Sequence, residues 1–322
     1  MAVVNVAACE PDLELGRGRF RSDAFDLTSR LGAQWIGATV FATAAGNAHG
    51  PYHYHHGVEE WIYVVSGSPA LRDPDGERVL APGELVAFSS GPSGAHTILG
   101  PGRVVMFSVG ARGWGESFVT VYPDSDKIGG APGVMFRRSQ ALASWGPPGG
   151  VATAAAETAG PAVDLRSLEV TPAVADPARG DPPVSRLSLR SRLGARTWDA
   201  TIHELAPGEA AAPYHFAWCL EEWLLVLAGS PTLRTTEGQT QLSPGDLACF
   251  PEGPDSAHQL RNDADGTARV VTFSAPVDRP RSVFYPDEGT VRIHLSDHEG
   301  FLFRLDDQID YWDGEPGTDA PV

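Results

Sequence analysis

The chain has 322 residues, 42% of them hydrophobic and 20% charged, which is enough for two domains that each bury a core and is the composition of a soluble globular protein. Its 41 acidic and 24 basic residues give a net charge of −17, a surface that repels phosphate backbones and anionic lipid and so argues against nucleic-acid or membrane partners. No apolar run approaches the roughly 18 residues of a membrane helix, and the N-terminal segment carries acids where a secretion signal needs a basic start, so a cytoplasmic location is expected.

From the N-terminus, the first half reads as short runs of β-branched, aromatic and leucine residues broken by turn formers: WIYVVSG at 61–67, ALRDPDG at 70–76, LVAFSSG at 85–91 and RVVMFSVG at 103–110. Such runs predict an antiparallel sandwich or barrel with little helix. The stretch at 146–164, rich in Pro, Gly and Ala and poor in large apolar residues, reads as a connector. Beyond it the pattern returns as WLLVLAGS, TLRTTEG, LACFPEG and RVVTFSAP, with PDG at 74–76 and TEG at 236–238 at matching hairpin positions. The division expected is a first domain over 1–146, a linker over 147–163 and a second domain over 164–322. VYPD at 121–124 and FYPD at 284–287 open similar tails, predicted to be an arm or short helix packed on each barrel, with Arg137 and Arg304 as anchoring ion-pair residues.

Within this repeat lies the chemistry. PYHYHHGVEEW at 51–61 recurs as PYHFAWCLEEW at 213–223, and PGELVAFSSGPSGAH at 82–96 recurs as PGDLACFPEGPDSAH at 244–258. Residues two apart on a strand share a face, so His53 and His55 aim two imidazoles the same way. Alternation lets only one of Glu59 and Glu60 join them. Glu60 is chosen because its spacing to Gly67 is kept between Glu222 and Gly229. A Pro-Gly turn, a buried strand and a Gly/Pro-rich bend then present His96. Three neutral imidazoles and a carboxylate suit one divalent transition metal, iron, manganese, nickel, copper or zinc, and leave positions open for reactants. The second copy keeps His215, Glu222 and His258 but has Ala217 in place of the second histidine. It is read as a vacant or structural relic, with a three-ligand metal and Cys219 as a replacement ligand as the alternatives.

The order of these residues resembles the two motifs of the cupin superfamily, and the duplication is similar to a bicupin, over roughly residues 20–145 and 183–312. Extra residues before His53, His96 and His258 depart from the family spacing. The resemblance implies an all-β chain of two tandem small antiparallel β-barrels, double-stranded β-helices of the cupin or jelly-roll type. It implies a metal held by His53, His55, Glu60 and His96. Cupins with such ligands include dioxygenases, decarboxylases, isomerases and members that only bind ligands. The expected activity is that of a metal-dependent oxygenase acting on a small organic substrate with O2, with Glu60 serving as base when it leaves the metal. A decarboxylase or isomerase is the rival, and a non-catalytic binding cupin a third reading. Oxalate-type chemistry wants a cation by the metal, and no arginine is evidently placed on an inner face. Ile62, Val64, Phe88 and Ile98 are expected pocket walls, and Trp61 and Trp223 should face away and pack between sheets or domains. His49, His56, His203, His294 and His298 lack ligand spacing and read as surface or turn residues. Cys9, Cys219 and Cys249, an odd number without CxxC spacing, read as reduced thiols. A monomer or a homodimer is expected.

Overall fold

Alternation of side chains decides how the strands are used. Along strand Glu59–Gly67 every residue from Glu59 to Val65 is buried, because both faces of the strand are covered. Trp61, Tyr63 and Val65 join one apolar cluster while Ile62 and Val64 join another. The second half repeats this, with Trp223 and Leu225 on one side and Leu224 and Val226 on the other. Each half is thus a barrel with its own inner core, and the outer faces of the two large sheets meet in a third core common to both.

The computed structural model describes residues 2–109, 119–130, 133–141, 161–170, 184–277, 279–296, 299–310 and 313. The Pro/Gly/Ala connector lies outside these residues except for its end, as does His298. The first half has a seven-stranded antiparallel sheet faced by a three-stranded and a four-stranded sheet; the second has sheets of six, three and four strands. Among the described residues helix is confined to single turns such as Leu27–Leu31 and Arg190–Leu193. The all-β expectation and the jelly-roll architecture hold. The tails are β-arms: Val119–Tyr122, Lys127–Gly130 and Val134–Arg137 extend the sheet begun by Tyr54–His56, and Arg281–Tyr285, Thr290–His294 and Gly300–Arg304 extend that of Phe216–Trp218. Among the described residues the matching ion pairs that pin them come from Arg72 and Arg234, to Asp124 at 2.6 Å and Asp287 at 2.5 Å, and none involves Arg137 or Arg304. Arg137 reaches the carbonyl of Ser125.

The halves are joined by exchanged strands. Val3–Asn5 pairs with Asp246–Phe250 in the sheet of the second half, and Val163–Asp164 pairs with Glu84–Phe88 in that of the first. Between the sheets Trp61 stacks on Trp198, centroids 4.9 Å apart, and Phe107 sits edge-on to Trp223. Two carboxylates cross in opposite directions. Glu221 accepts the backbone N–H groups of Gln34, Trp35 and Ile36, and Glu59 those of Arg196 and Thr197. The acid that alternation turns away from the metal cluster therefore caps a turn of the opposite half.

Candidate metal centres

His53 and His96 are neighbours because their backbones are. Each donates its N–H to the other's carbonyl, at 3.1 and 2.8 Å, in an isolated antiparallel bridge. His55 lies on Tyr54–His56, and Glu60 enters from the adjacent strand. The three Nε2 atoms stand 3.7, 3.1 and 3.5 Å from Glu60 Oε2 for His53, His55 and His96. The structure thus brings together all four residues expected in the first site. Each ring is tied back through Nδ1: His53 to the carbonyl of Pro51 at 2.8 Å, His96 to that of Gly94 at 2.9 Å and His55 to the hydroxyl of Thr120 at 2.9 Å. Carbonyl acceptors fix the Nδ1–H tautomer of His53 and His96 and leave Nε2 with its lone pair inward, the arrangement that orients imidazoles for a metal. Phe88 lies flat against His96, centroids 3.7 Å apart.

The cluster is ready for a cation. His96 Nε2 is buried without a hydrogen-bond partner, a costly condition for a polar atom unless something else engages it, and the buried Glu60 Oε2 has only the imidazoles around it, His55 Nε2 nearest at 3.1 Å. Burial alone would push Glu60 upward, but the imidazoles of His55, His96 and His53 outweigh it and hold the carboxyl well below its ordinary range. Burial lowers His96 to about 3. Burial also lowers His53, whereas Glu60 outweighs burial at His55 and raises it; an ionised carboxylate among three imidazoles is the donor chemistry a divalent transition metal takes.

The second copy preserves the geometry with one ligand fewer. His215 and His258 share the same backbone bridge, with Nδ1 tied to the carbonyls of Pro213 at 2.8 Å and Ser256 at 3.0 Å. Their Nε2 atoms lie 3.0 and 3.9 Å from Glu222 Oε2, and Glu222 is held down at about 2 by these histidines and Ser274 against the effect of burial. The three donors can hold a metal. Cys219 does not replace the lost imidazole: the strand ends at Trp218 and Cys219, exposed, turns away at φ 62°.

The four expected pocket walls, Ile62, Val64, Phe88 and Ile98, sit together in the inner apolar cluster of the first barrel. Three further residues at the first site escaped the sequence. His49, expected at the surface, has its ring 6.2 Å from those of both His53 and His96 and is lowered by burial to about 4. Tyr122 stacks on His53 at 5.8 Å, and Thr120 holds His55. The recurrence of Tyr-Pro-Asp at 122–124 and 285–287 was the available signal for Tyr122; Tyr285 lies beside His215 at 6.1 Å. His203, also expected at the surface, is buried in the second barrel, and Arg186 lines the cavity there.

The cupin domain family matches the chain twice, at residues 40–110 and 201–274. No curated protein sequence matches it. Among solved structures, a putative sugar phosphate isomerase from Acidithiobacillus ferrooxidans is 26% identical over 39% of this chain and 80% of its own, with a TM-score of 0.37. A sugar phosphate isomerase from a cupin superfamily, from Silicibacter pomeroyi, is 22% identical over 48% of this chain and 98% of its own, at 0.40. A mutant oxalate decarboxylase of Bacillus subtilis is 14% identical over 86% of this chain and 79% of its own, at 0.47.

Proposed function

Because this chain is a member of the cupin superfamily with two cupin domains in tandem, we propose that it is a metal-dependent oxygenase acting on a small organic substrate at His53, His55, Glu60 and His96. The observation that carries the reading is the convergence of three tied-back imidazoles on a buried, ionised carboxylate inside an apolar barrel. A divalent transition metal there, iron first among iron, manganese, nickel, copper and zinc, would supply Lewis acidity and one-electron chemistry.

The protein's share is positioning and exclusion of water. His53, His55 and His96 are fixed by their Nδ1 bonds, so little reorganisation is needed when substrate enters. The cluster of Ile62, Val64, Phe88 and Ile98 keeps the interior apolar, which suits an organic ligand and strengthens every charge interaction inside. Glu60, ionised, is the group able to take a proton from a substrate donor atom. Tyr122, raised by burial and by Glu60, remains a neutral phenol beside His53, a hydrogen-bond donor at the rim of the cluster.

The same donor set serves a decarboxylase or isomerase without net oxidation, so the test must separate the two. Oxygen uptake dependent on substrate, in iron-loaded protein and lost in His55→Ala, is the expected result. Turnover in manganese-loaded protein under anaerobic conditions would instead assign a decarboxylase or isomerase. Tight ligand binding without turnover would leave a binding protein.

A further inference from the structure

Each half ends in a β-arm whose last strand is paired on one side only. Val134–Arg137 and Gly300–Arg304 are the outer strands of the two four-stranded sheets, and every residue in both is exposed. Their side chains do not suit a solvent edge. Val134, Met135, Phe136, Phe301, Leu302 and Phe303 are between 46% and 64% exposed. Natural edge strands are kept from further pairing by lysine, proline, a bulge or an inward charge. These six residues include no such guard, and both strands run in register without a bulge.

The two edges fit each other better than either fits its own copy. The N–H of Arg138 turns inward to the Asp126 carbonyl and that of Leu305 to the Gly289 carbonyl. By alternation the outward main-chain groups belong to Met135 and Arg137 on the first edge and to Gly300, Leu302 and Arg304 on the second. An antiparallel pairing with Met135 opposite Leu302 and Arg137 opposite Gly300 joins those groups in hydrogen-bonded pairs. It also sets Phe136 opposite Phe301 and Val134 opposite Phe303 on one face, and Arg138 opposite Glu299 at its end. Pairing the second edge with its own copy about Leu302 would put Glu299 opposite Leu305 and Arg304 opposite Gly300, and pairing the first about Met135 would put Arg137 opposite Gly133. Neither answers a charge with its opposite. Within one chain the two edges belong to separate sheets, and neither the Pro/Gly/Ala connector nor residues 314–322 carry an apolar run able to cover them.

We propose that the arms are the interface for a second copy of this chain, the first arm of one copy adding its edge strand to the second arm of the other. With roughly 80–100 Å² open on each of the six side chains, one such pairing buries on the order of 500 Å², short of the ~1,000 Å² of a specific interface, whereas two reach it. The assembly is therefore closed, each copy giving both arms, because a single pairing would leave an apolar edge bare at either end. This interface is independent of the chemistry at the first centre.

Sedimentation equilibrium of the full chain should give particles of two or more 34.2 kDa copies. Leu302→Pro removes an outward N–H and leaves the inner pairing intact; it should raise the dissociation constant at least tenfold with unchanged metal content. Should it disturb the arm, Phe136→Lys and Phe303→Lys serve in its place with the same loss. In a Cys219→Ser background, oxidation of a mixture of Met135→Cys and Leu302→Cys should give disulfide-linked pairs, and neither variant alone should. A monomer at every concentration, particles that withstand all three weakening substitutions, no linkage in the mixture, or linkage of either cysteine variant to itself would overturn the proposal.

Discussion

Restoring the missing imidazole should need two substitutions, not one. Ala217 occupies the place of His55, and in strand register it lies opposite Val283 where His55 lies opposite Thr120. The first site's histidine leans on the Thr120 hydroxyl at 2.9 Å, whereas Ala217 and Val283 belong to one small apolar cluster. Ala217→His alone therefore places a ring whose Nδ1 faces methyl groups, an unsatisfied polar atom costing about 1–3 kcal/mol. Val283→Thr supplies the hydroxyl at nearly the same shape. Hydrogen-bonded partners behind metal-bound histidines are typically worth 10–100-fold in affinity, or about 1.4–2.8 kcal/mol at 1.4 kcal/mol per decade. The double variant should hold Zn²⁺ at the second centre 10–100-fold more tightly than Ala217→His, as measured by competition with a chromophoric chelator in a His55→Ala background. Val283→Thr alone should gain nothing. Equal affinities for the single and double variants, within a factor of two, would refute the reasoning that the lost ligand took its support with it.

Metal analysis should find two unequal sites: His53→Ala should remove the tighter equivalent and leave the weaker, and His215→Ala should do the reverse, with loss of both in either variant as the contrary result. Chelator-treated protein should lose stability in acid, because burial lowers His49 and His203 to about 4. Between the ordinary value of 6.5 and about 4 the unfolded chain binds protons that the native state does not, so stability falls as pH drops through that window, by on the order of 2 kcal/mol per group at pH 5. Urea midpoints equal at pH 7 and pH 5 would contradict this. Glu221→Gln should destabilise by about 2–4 kcal/mol in urea, since its amide would present N–H groups to backbone donors now served by a carboxylate. A change below about 0.5 kcal/mol would show that these contacts contribute little.

The sequence made the first centre legible because its ligands sit at strand parity on either side of one turn, and parity survives folding. The same argument allowed only one of Glu59 and Glu60 at the cluster, with the repeated spacing to Gly67 and Gly229 choosing Glu60, and sent Trp61 and Trp223 outward, to the face where the halves meet. What it could not supply is proximity without spacing. His49 lies against the cluster from a loop, and His203 with Arg186 from strands whose alternation is blurred by polar residues on both faces. Local pattern equally cannot reveal which sheet a three-residue strand joins: Val3–Asn5 reads as a weak first strand and pairs far along the chain. Cys219 shows the limit in reverse, its candidacy resting on a strand continuing past Trp218, which the left-handed turn denies.

The exchanged strands have a consequence for what counts as a unit here. Severed between residues 142 and 160, the chain would yield two fragments, each lacking an edge strand of its own sheet and carrying one that completes its neighbour's. Neither fragment is a finished fold, but each is the other's missing piece, as in a swapped dimer whose two copies have been fused. What ties the barrels together is therefore not only chain continuity but two strand pairings that run in opposite directions between them. Each barrel's large sheet is completed at its edge by a strand of the other, so a change that weakens one half's edge pairing reaches the sheet of its neighbour.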